Sequence, residues 1–142
     1  EHPDRNNTVY WTNALEFDYA NALKENSIST RVGYLSCDIE PPENTFSALK
    51  RVIESGIEFD CITFEHDRYR SLEQGTTNYD PIATEFLLDH GYKIAVDEVY
   101  RIRRYRENGA KKKTEKICYM ETWYVNNDID FKKMSYDEWN KI

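Results

Sequence analysis

Glycine is scarce in this chain, and the five present, at positions 33, 56, 75, 91 and 109, are widely scattered. No two lie close enough to make the Gly-x-Gly turn with which a backbone approaches a bound dinucleotide. Cysteine is rarer still. Cys37, Cys61 and Cys118 are odd in number, far apart, and each falls in a strand-like run. That pattern suits neither a disulfide framework nor a zinc site, so we expect no metal; it reads as buried free thiols in a reducing, cytoplasmic compartment. No apolar run approaches the ~20 residues that span a membrane, and the polar opening Glu1 to Thr8 has no signal-peptide pattern. Positive charge is also in deficit. The formal net charge of −7 disfavours a phosphate backbone, which needs clustered Lys and Arg, so no nucleic-acid partner is expected. One local exception runs from Arg101 to Lys116, with Arg103, Arg104, Arg106, Lys111, Lys112 and Lys113 between. It reads first as a solvated hairpin turning at Gly109, and second as a site for an acidic partner.

What the chain does have is aromatic side chains, 14% of the total, more than a disordered segment carries. At 142 residues the chain suits a single domain over 1–142, with 1–12 and 127–142 at its periphery. Asn13 to Asn26 places Leu15, Tyr19, Ala22 and Leu23 on one helical face, although its first residues also suit a loop. Val32 to Ile39 and Phe59 to Phe64 are short, nearly continuous apolar runs, as strands buried on both faces of a parallel sheet would be. Between them, Glu43 to Ser55 has a helical stripe of Phe46, Leu49, Val52 and Ile53 that stops at Gly56. Arg68 to Asp80 reads as a polar loop. Asp80 is the expected N-cap, and Pro81 opens the first turn, of a helix over Ile82 to His90. His90 precedes the stop at Gly91 and suits the negative end of the helix dipole. Tyr92 to Tyr100 and Ile117 to Val125 are two further strands, joined as a hairpin. Alternating strands and helices predict an α/β fold with parallel strands and crossover helices on both faces, plus a C-terminal antiparallel strand.

In such sheets ligands sit beyond the carboxyl ends of the strands. Two of those ends carry acids: Asp38 and Glu40 after the first strand, and Glu65, His66 and Asp67 after the second. Neighbouring strands are about 4.8 Å apart, so these groups converge on one rim. A carboxylate beside an imidazole raises its pKa and makes a general base, which gives Asp38, Glu40, Glu65 and His66 as candidate catalytic residues. Strand ends are polar in any α/β domain, and Glu40 and Asp67 also suit purely structural roles. The same acids could bind a divalent cation. A metal-dependent nuclease using Asp38 and Glu65 is therefore an alternative, although no Lys follows Glu65 at the second position.

The run Tyr34 to Asn44 (YLSCDIEPPEN) resembles the fourth-strand motif of FkbM-type methyltransferases, and Ile62 to Asp67 (ITFEHD) resembles the fifth. His90-Gly91-Tyr92 and Glu121 to Val125 resemble the segments around the sixth and seventh. The likeness spans roughly Asn13 to Asn126. It implies the C-terminal half of a Rossmann-like class I methyltransferase domain, one that moves a methyl group from S-adenosylmethionine to a small-molecule acceptor, often a sugar oxygen. It also implies that the last strand lies inside the edge of the sheet. Asp38 would sit near cofactor and acceptor, and Asn13 and Ala14 match a segment that touches the adenine, with Asn13 where the family has Asp. The family's opening strand and Gly-rich loop have no counterpart here. We therefore expect weak or absent cofactor binding and no turnover by this chain alone. A central strand left without its neighbour presents an open apolar edge, so a homodimer through that edge is expected. The competing reading is a non-catalytic binding or assembly module of the same fold.

Overall fold

The computed structural model describes residues 12–105 and 114–142. The turn expected at Gly109, with Arg106 and Lys111 to Lys113, lies outside the described residues, as do residues 1–11.

Local chemistry sets where the first helix begins. The Asn13 side chain accepts from the Leu15 amide at 3.0 Å, and the Asn13 carbonyl takes the Glu16 and Phe17 amides. A turn therefore replaces the start of the expected helix, a standard competition between Asn and the helical backbone. Asp18 caps the helix proper, α1 (Tyr19–Glu25), by accepting from the Asn21 amide. β1 (Arg31–Cys37) leads into α2 (Pro42–Glu54), which starts with proline in its first turn. Thr45, Ala48, Leu49, Val52 and Ile53 are its buried residues, spaced as one face of a helix. β2 (Glu58–Glu65) follows.

The segment read as a polar loop contains a helix, α3 (Arg68–Gln74), stopped by Gly75 at φ +65°. Only Tyr69 and Ser71 on it are buried, too few to leave an apolar stripe in the sequence. α4 (Tyr79–Asp89) begins earlier than expected, because Asn78 supplies the cap by accepting from the Asp80 amide. The Asp80 side chain is thereby released for other bonds. β3 (Tyr92–Tyr105) and β4 (Thr114–Asn126) are longer than the sequence suggested, and β5 (Met134–Ser135) and α5 (Tyr136–Trp139) close the chain.

The five strands form one mixed sheet in the order β1-β2-β4-β3-β5. β1 and β2 are parallel, with Tyr34 opposite Cys61 and Cys37 opposite Phe64. β4 runs antiparallel to both β2 and β3 and lies between them, and β5 pairs parallel with β3. Four strands thus share one direction, and the long antiparallel strand sits inside the edge.

Each face has its own core. On one, Ile62, Phe64 and Tyr124 are fully buried against Leu49, Val52 and Leu87 from α2 and α4, with Tyr19 and Leu23 of α1 alongside. Burying such side chains stabilises by about 1.5–3 kcal/mol each. On the other face, Val96, Val99 and Val125 pack with Trp123, Phe131, Met134 and Tyr136. Helices α1, α2 and α4 therefore share one face. The expectation of helices on both faces is met only by the single turn of α5, and residues 127–142 contribute core contacts through Phe131, Met134 and Tyr136. The sheet positions the strand ends because β1 and β2 leave it side by side at the same end. None of the described helices is long and apolar enough to cross a membrane.

Candidate functional site

Two strand exits build the site. Beyond β1, Thr45 holds the turn into α2: its buried hydroxyl accepts from the Ile39 amide at 3.0 Å and donates to the Ile39 carbonyl. Asp38 is thereby fixed at the end of the strand. Beyond β2, the amides of His66 and Asp67 both donate to the Met120 carbonyl, at 2.8 and 3.1 Å, tying this exit to β4. Asp67 then adopts a left-handed backbone with φ 44°, a conformation Asp tolerates better than most residues. The turn drives its side chain inward, leaving Asp67 only 1% exposed.

Glu65 lies within hydrogen-bonding reach of the carboxyls of both Asp38 and Asp67. Burial first, and then the hydrogen bond and negative charge of Asp38 with a contribution from Asp67, push its pKa up to about 8. Asp67 is also pushed up, by burial above all and by the charge of Glu40, against the pull of Arg70. Arg70 Nη1 stands 2.9 Å from Asp67 Oδ2 but out of line for a hydrogen bond, and no N–H or hydroxyl among the described residues donates to either Asp67 oxygen. The proton that Glu65 retains at neutral pH is the donor that fits. Glu40 is on the same rim but is ion-paired with Arg70.

His66 behaves differently from the sequence expectation. It is 2% exposed, and its Nδ1 accepts from the Arg68 amide at 3.1 Å, which leaves the ring proton on Nε2. Nε2 faces Asp80 Oδ1 at 3.5 Å and Thr122 Oγ1 at 3.4 Å. The carboxylate beside the imidazole is therefore Asp80 rather than one of the strand-end acids, and burial and the Arg68 charge outweigh it and lower the pKa to about 4. The ring is neutral near pH 7, with both nitrogens turned to protein groups. Around it, Thr122 Oγ1 donates to Asp80 Oδ1 at 2.9 Å, and Arg68 Nη1 reaches Asp80 Oδ2 at 3.4 Å. A bulge in β3 between Val96 and Val99, with Glu98 at φ 56°, turns Glu98 towards Arg68.

The structure thus gathers Asp38, Glu40, Glu65 and His66 on one rim, and adds Asp67, Arg70, Asp80 and Thr122. Asp80 was hidden in the sequence as an expected helix cap, and Arg70 in an expected loop. Asn13 and Ala14 are spent locally: the Asn13 side chain closes its own turn, and the Ala14 carbonyl accepts from the Tyr19 hydroxyl at 2.8 Å. They approach the rim only through Phe17 and Tyr19, which line a cavity of about 370 Å³ together with Leu35, Asp38 and Ile39. A second cavity, of about 420 Å³, opens over Glu40, His66, Asp67 and Arg70.

The chain matches no family model, no curated protein and no solved structure. What the site can do follows from its own chemistry. Asp38 lines the first cavity and Asp67 the second, and a carboxyl between them with a pKa near 8 is suited to accept a proton from a bound hydroxyl or amine. Among the described residues no group of three or more His, Cys, Asp and Glu side chains has a geometry that could hold a metal ion. Cys37 and Cys118 are buried and Cys61 half-buried, all as free thiols, and burial pushes Cys37 up to about 12.

Proposed function

We propose that this chain is the acceptor side of an S-adenosylmethionine-dependent methyltransferase domain, with Glu65 as the group that takes the acceptor's proton. The observation that carries the reading is the placement of Glu65 between Asp38 and Asp67, at the common exit of two parallel strands. The sheet order supports it as well, since the resemblance implies a final antiparallel strand inside the edge.

The residues present fit part of the cofactor. The cavity beside Asp38, walled by Phe17, Tyr19, Leu35 and Ile39, suits a flat heteroaromatic ring, and the Asp38 carboxylate at its mouth suits a hydroxyl or amino group. The chain contains no Gly-x-Gly turn for the rest. When bound, the cofactor supplies an electrophilic methyl group. The chain's own work is to bind and orient the acceptor over Glu40, Asp67 and Arg70, to keep His66 neutral and fixed, and to receive a proton on a Glu65 carboxylate oxygen. Burial first, and then Asp38 and Asp67, make that carboxylate more basic than a solvated one, so transfer to a hydroxyl rises with pH towards about 8.

The test is an amide NMR titration with S-adenosylhomocysteine. Weak binding is expected, about millimolar, with shifts concentrated at Asn13, Ala14, Phe17 and Asp38. No shifts, or shifts confined to other parts of the sheet, would remove the methyltransferase reading.

One observation favours the non-catalytic alternative, an assembly module. Among the described residues β1 is the outer strand of the sheet, and no described strand pairs with its free backbone edge, the kind of edge a second copy can extend. Light scattering at high protein concentration separates the two readings. A dimer dispersed by charging the edge, with no response to S-adenosylhomocysteine, favours assembly; a strict monomer removes the dimer proposal.

A further inference from the structure

Tyr69 of α3 is 3% exposed, and its hydroxyl oxygen accepts from three arginines: Arg70 Nε at 2.9 Å, Arg101 Nη2 at 3.2 Å and Arg103 Nη2 at 2.9 Å. A phenol oxygen has two lone pairs, so the donors outnumber the places that receive them. The phenol's own proton has no acceptor among the described residues. The guanidinium carbons of Arg103, Arg70 and Arg101 lie 4.6, 5.7 and 5.9 Å from the ring centroid, so three full charges surround one neutral side chain. Arg70 is balanced by Asp67 and Glu40, and the nearby Arg104 and Lys116 by Glu115 and Glu73. Arg101 and Arg103 form no ion pair among the described residues, and only the more distant charges of Asp67 and Glu73 act on them. Excess donors, two charges without an ion pair and a spare phenolic proton at one point are the complement of an oxyanion.

We propose that Arg101, Arg103 and Tyr69 form a binding site for the phosphoryl group of a small molecule, and that this molecule is the methyl acceptor. The second clause rests on the methyltransferase reading; the first stands on the geometry alone. Donors converging from three side chains match the three terminal oxygens of a phosphoryl group better than the two of a planar carboxylate. A small molecule fits better than a nucleic acid, because the rest of the chain is acidic, with a net charge of −7. Arg70 connects this site to the acids: its Nε is on Tyr69 and its Nη1 is 2.9 Å from Asp67 Oδ2. An acceptor anchored by its phosphoryl group on Arg101 and Arg103 would extend along Arg70 towards Glu65.

The experiment is a calorimetric and amide NMR titration of the full chain with inorganic phosphate, at constant ionic strength in a non-phosphate buffer. Saturable binding is expected, about millimolar, with shifts at Tyr69, Arg101 and Arg103, and sodium acetate binding more weakly. Arg101→Gln and Arg103→Gln each weaken phosphate by roughly tenfold, the loss of one charge-assisted hydrogen bond. Arg103→Lys, which keeps the charge and loses the planar fork, falls between. Lys50→Gln, on α2, changes nothing. Binding that does not saturate, is matched by acetate, or survives both glutamine variants overturns the site. No cofactor is needed, so the two readings fail separately. Phosphate binding without any S-adenosylhomocysteine response at Asp38 overturns the acceptor assignment and keeps the anion site; the converse overturns the anion site alone.

Discussion

Replacing Asp80 by alanine removes the acceptor that Thr122 Oγ1 reaches at 2.9 Å, the carboxylate that Arg68 Nη1 faces at 3.4 Å, and the group 3.5 Å from His66 Nε2. Thr122 and His66 are 3% and 2% exposed, so both lose their carboxylate partner inside the fold. A buried donor left without a partner costs about 1–3 kcal/mol. The two stranded groups relieve each other in part, because Thr122 Oγ1 lies 3.4 Å from Nε2 and can accept its proton. The Arg68 pair is partly exposed and adds less than about 1 kcal/mol. Together these give about 3 kcal/mol of destabilisation, a large share of the roughly 5–15 kcal/mol that holds a domain together. For a chain of this size that lowers the melting temperature by about 10 °C. Asp80→Asn keeps an acceptor oxygen and costs about 1 kcal/mol. Urea unfolding followed by circular dichroism and tryptophan fluorescence measures both. The reasoning is refuted if Asp80→Ala lies within about 1 kcal/mol of wild type, or if the asparagine variant is as damaging as the alanine.

Three further outcomes follow from the same geometry. Glu65 binds its proton more tightly in the folded state than at its ordinary value of 4.5, so its stabilising contribution is complete below that value and is lost as pH rises towards about 8. The full displacement corresponds to at most about 5 kcal/mol, reduced to about 2 kcal/mol because the group is half-exposed and screened; wild type should lose that much against Glu65→Gln between pH 5 and pH 8.5 in parallel urea titrations. Thr45→Val removes the hydroxyl that clamps Ile39, costing about 1–3 kcal/mol in chemical denaturation and freeing Asp38, so the Glu65 pKa falls towards the ordinary carboxylate range in the same variant. Phe64→Ala empties the centre of the larger core, where Phe64 is 0% exposed, and should lower stability by about 3–5 kcal/mol with little change in the denaturant slope.

The parts of this fold that were legible in the sequence are those where burial writes a period. α2 shows its stripe because five of its residues face the core. β1 and β2 show as apolar runs bounded by acids and prolines, and that was enough to bring Asp38 and Glu65 to one rim. α3 was not legible, because its two buried residues are Tyr69 and Ser71, and the rest of it, Leu72 included, faces the surface. Asp80 was misassigned because Asn78 and Asp80 are both good caps, and sequence spacing does not decide which of them the backbone uses. The direction of the His66 pKa was out of reach for a related reason. A neighbouring carboxylate and a burial penalty act with opposite signs, and the balance is set by the folded surroundings, which leave the ring 2% exposed. The end of the chain did carry a signal: Ser135 and Glu138 form a capping box, the spacing by which a short helix announces itself.

The account depends on Asp38, Glu65 and Asp67 acting as one proton-sharing group where β1 and β2 leave the sheet. Carbon-detected NMR of the glutamate side-chain carboxyls across pH measures this directly, in the wild-type chain and in Asp38→Asn. The account predicts a Glu65 midpoint displaced up to about 8 that moves down when the Asp38 charge is removed. A Glu65 carboxyl that titrates with the solvent-exposed glutamates, and does not respond to Asp38→Asn, contradicts it.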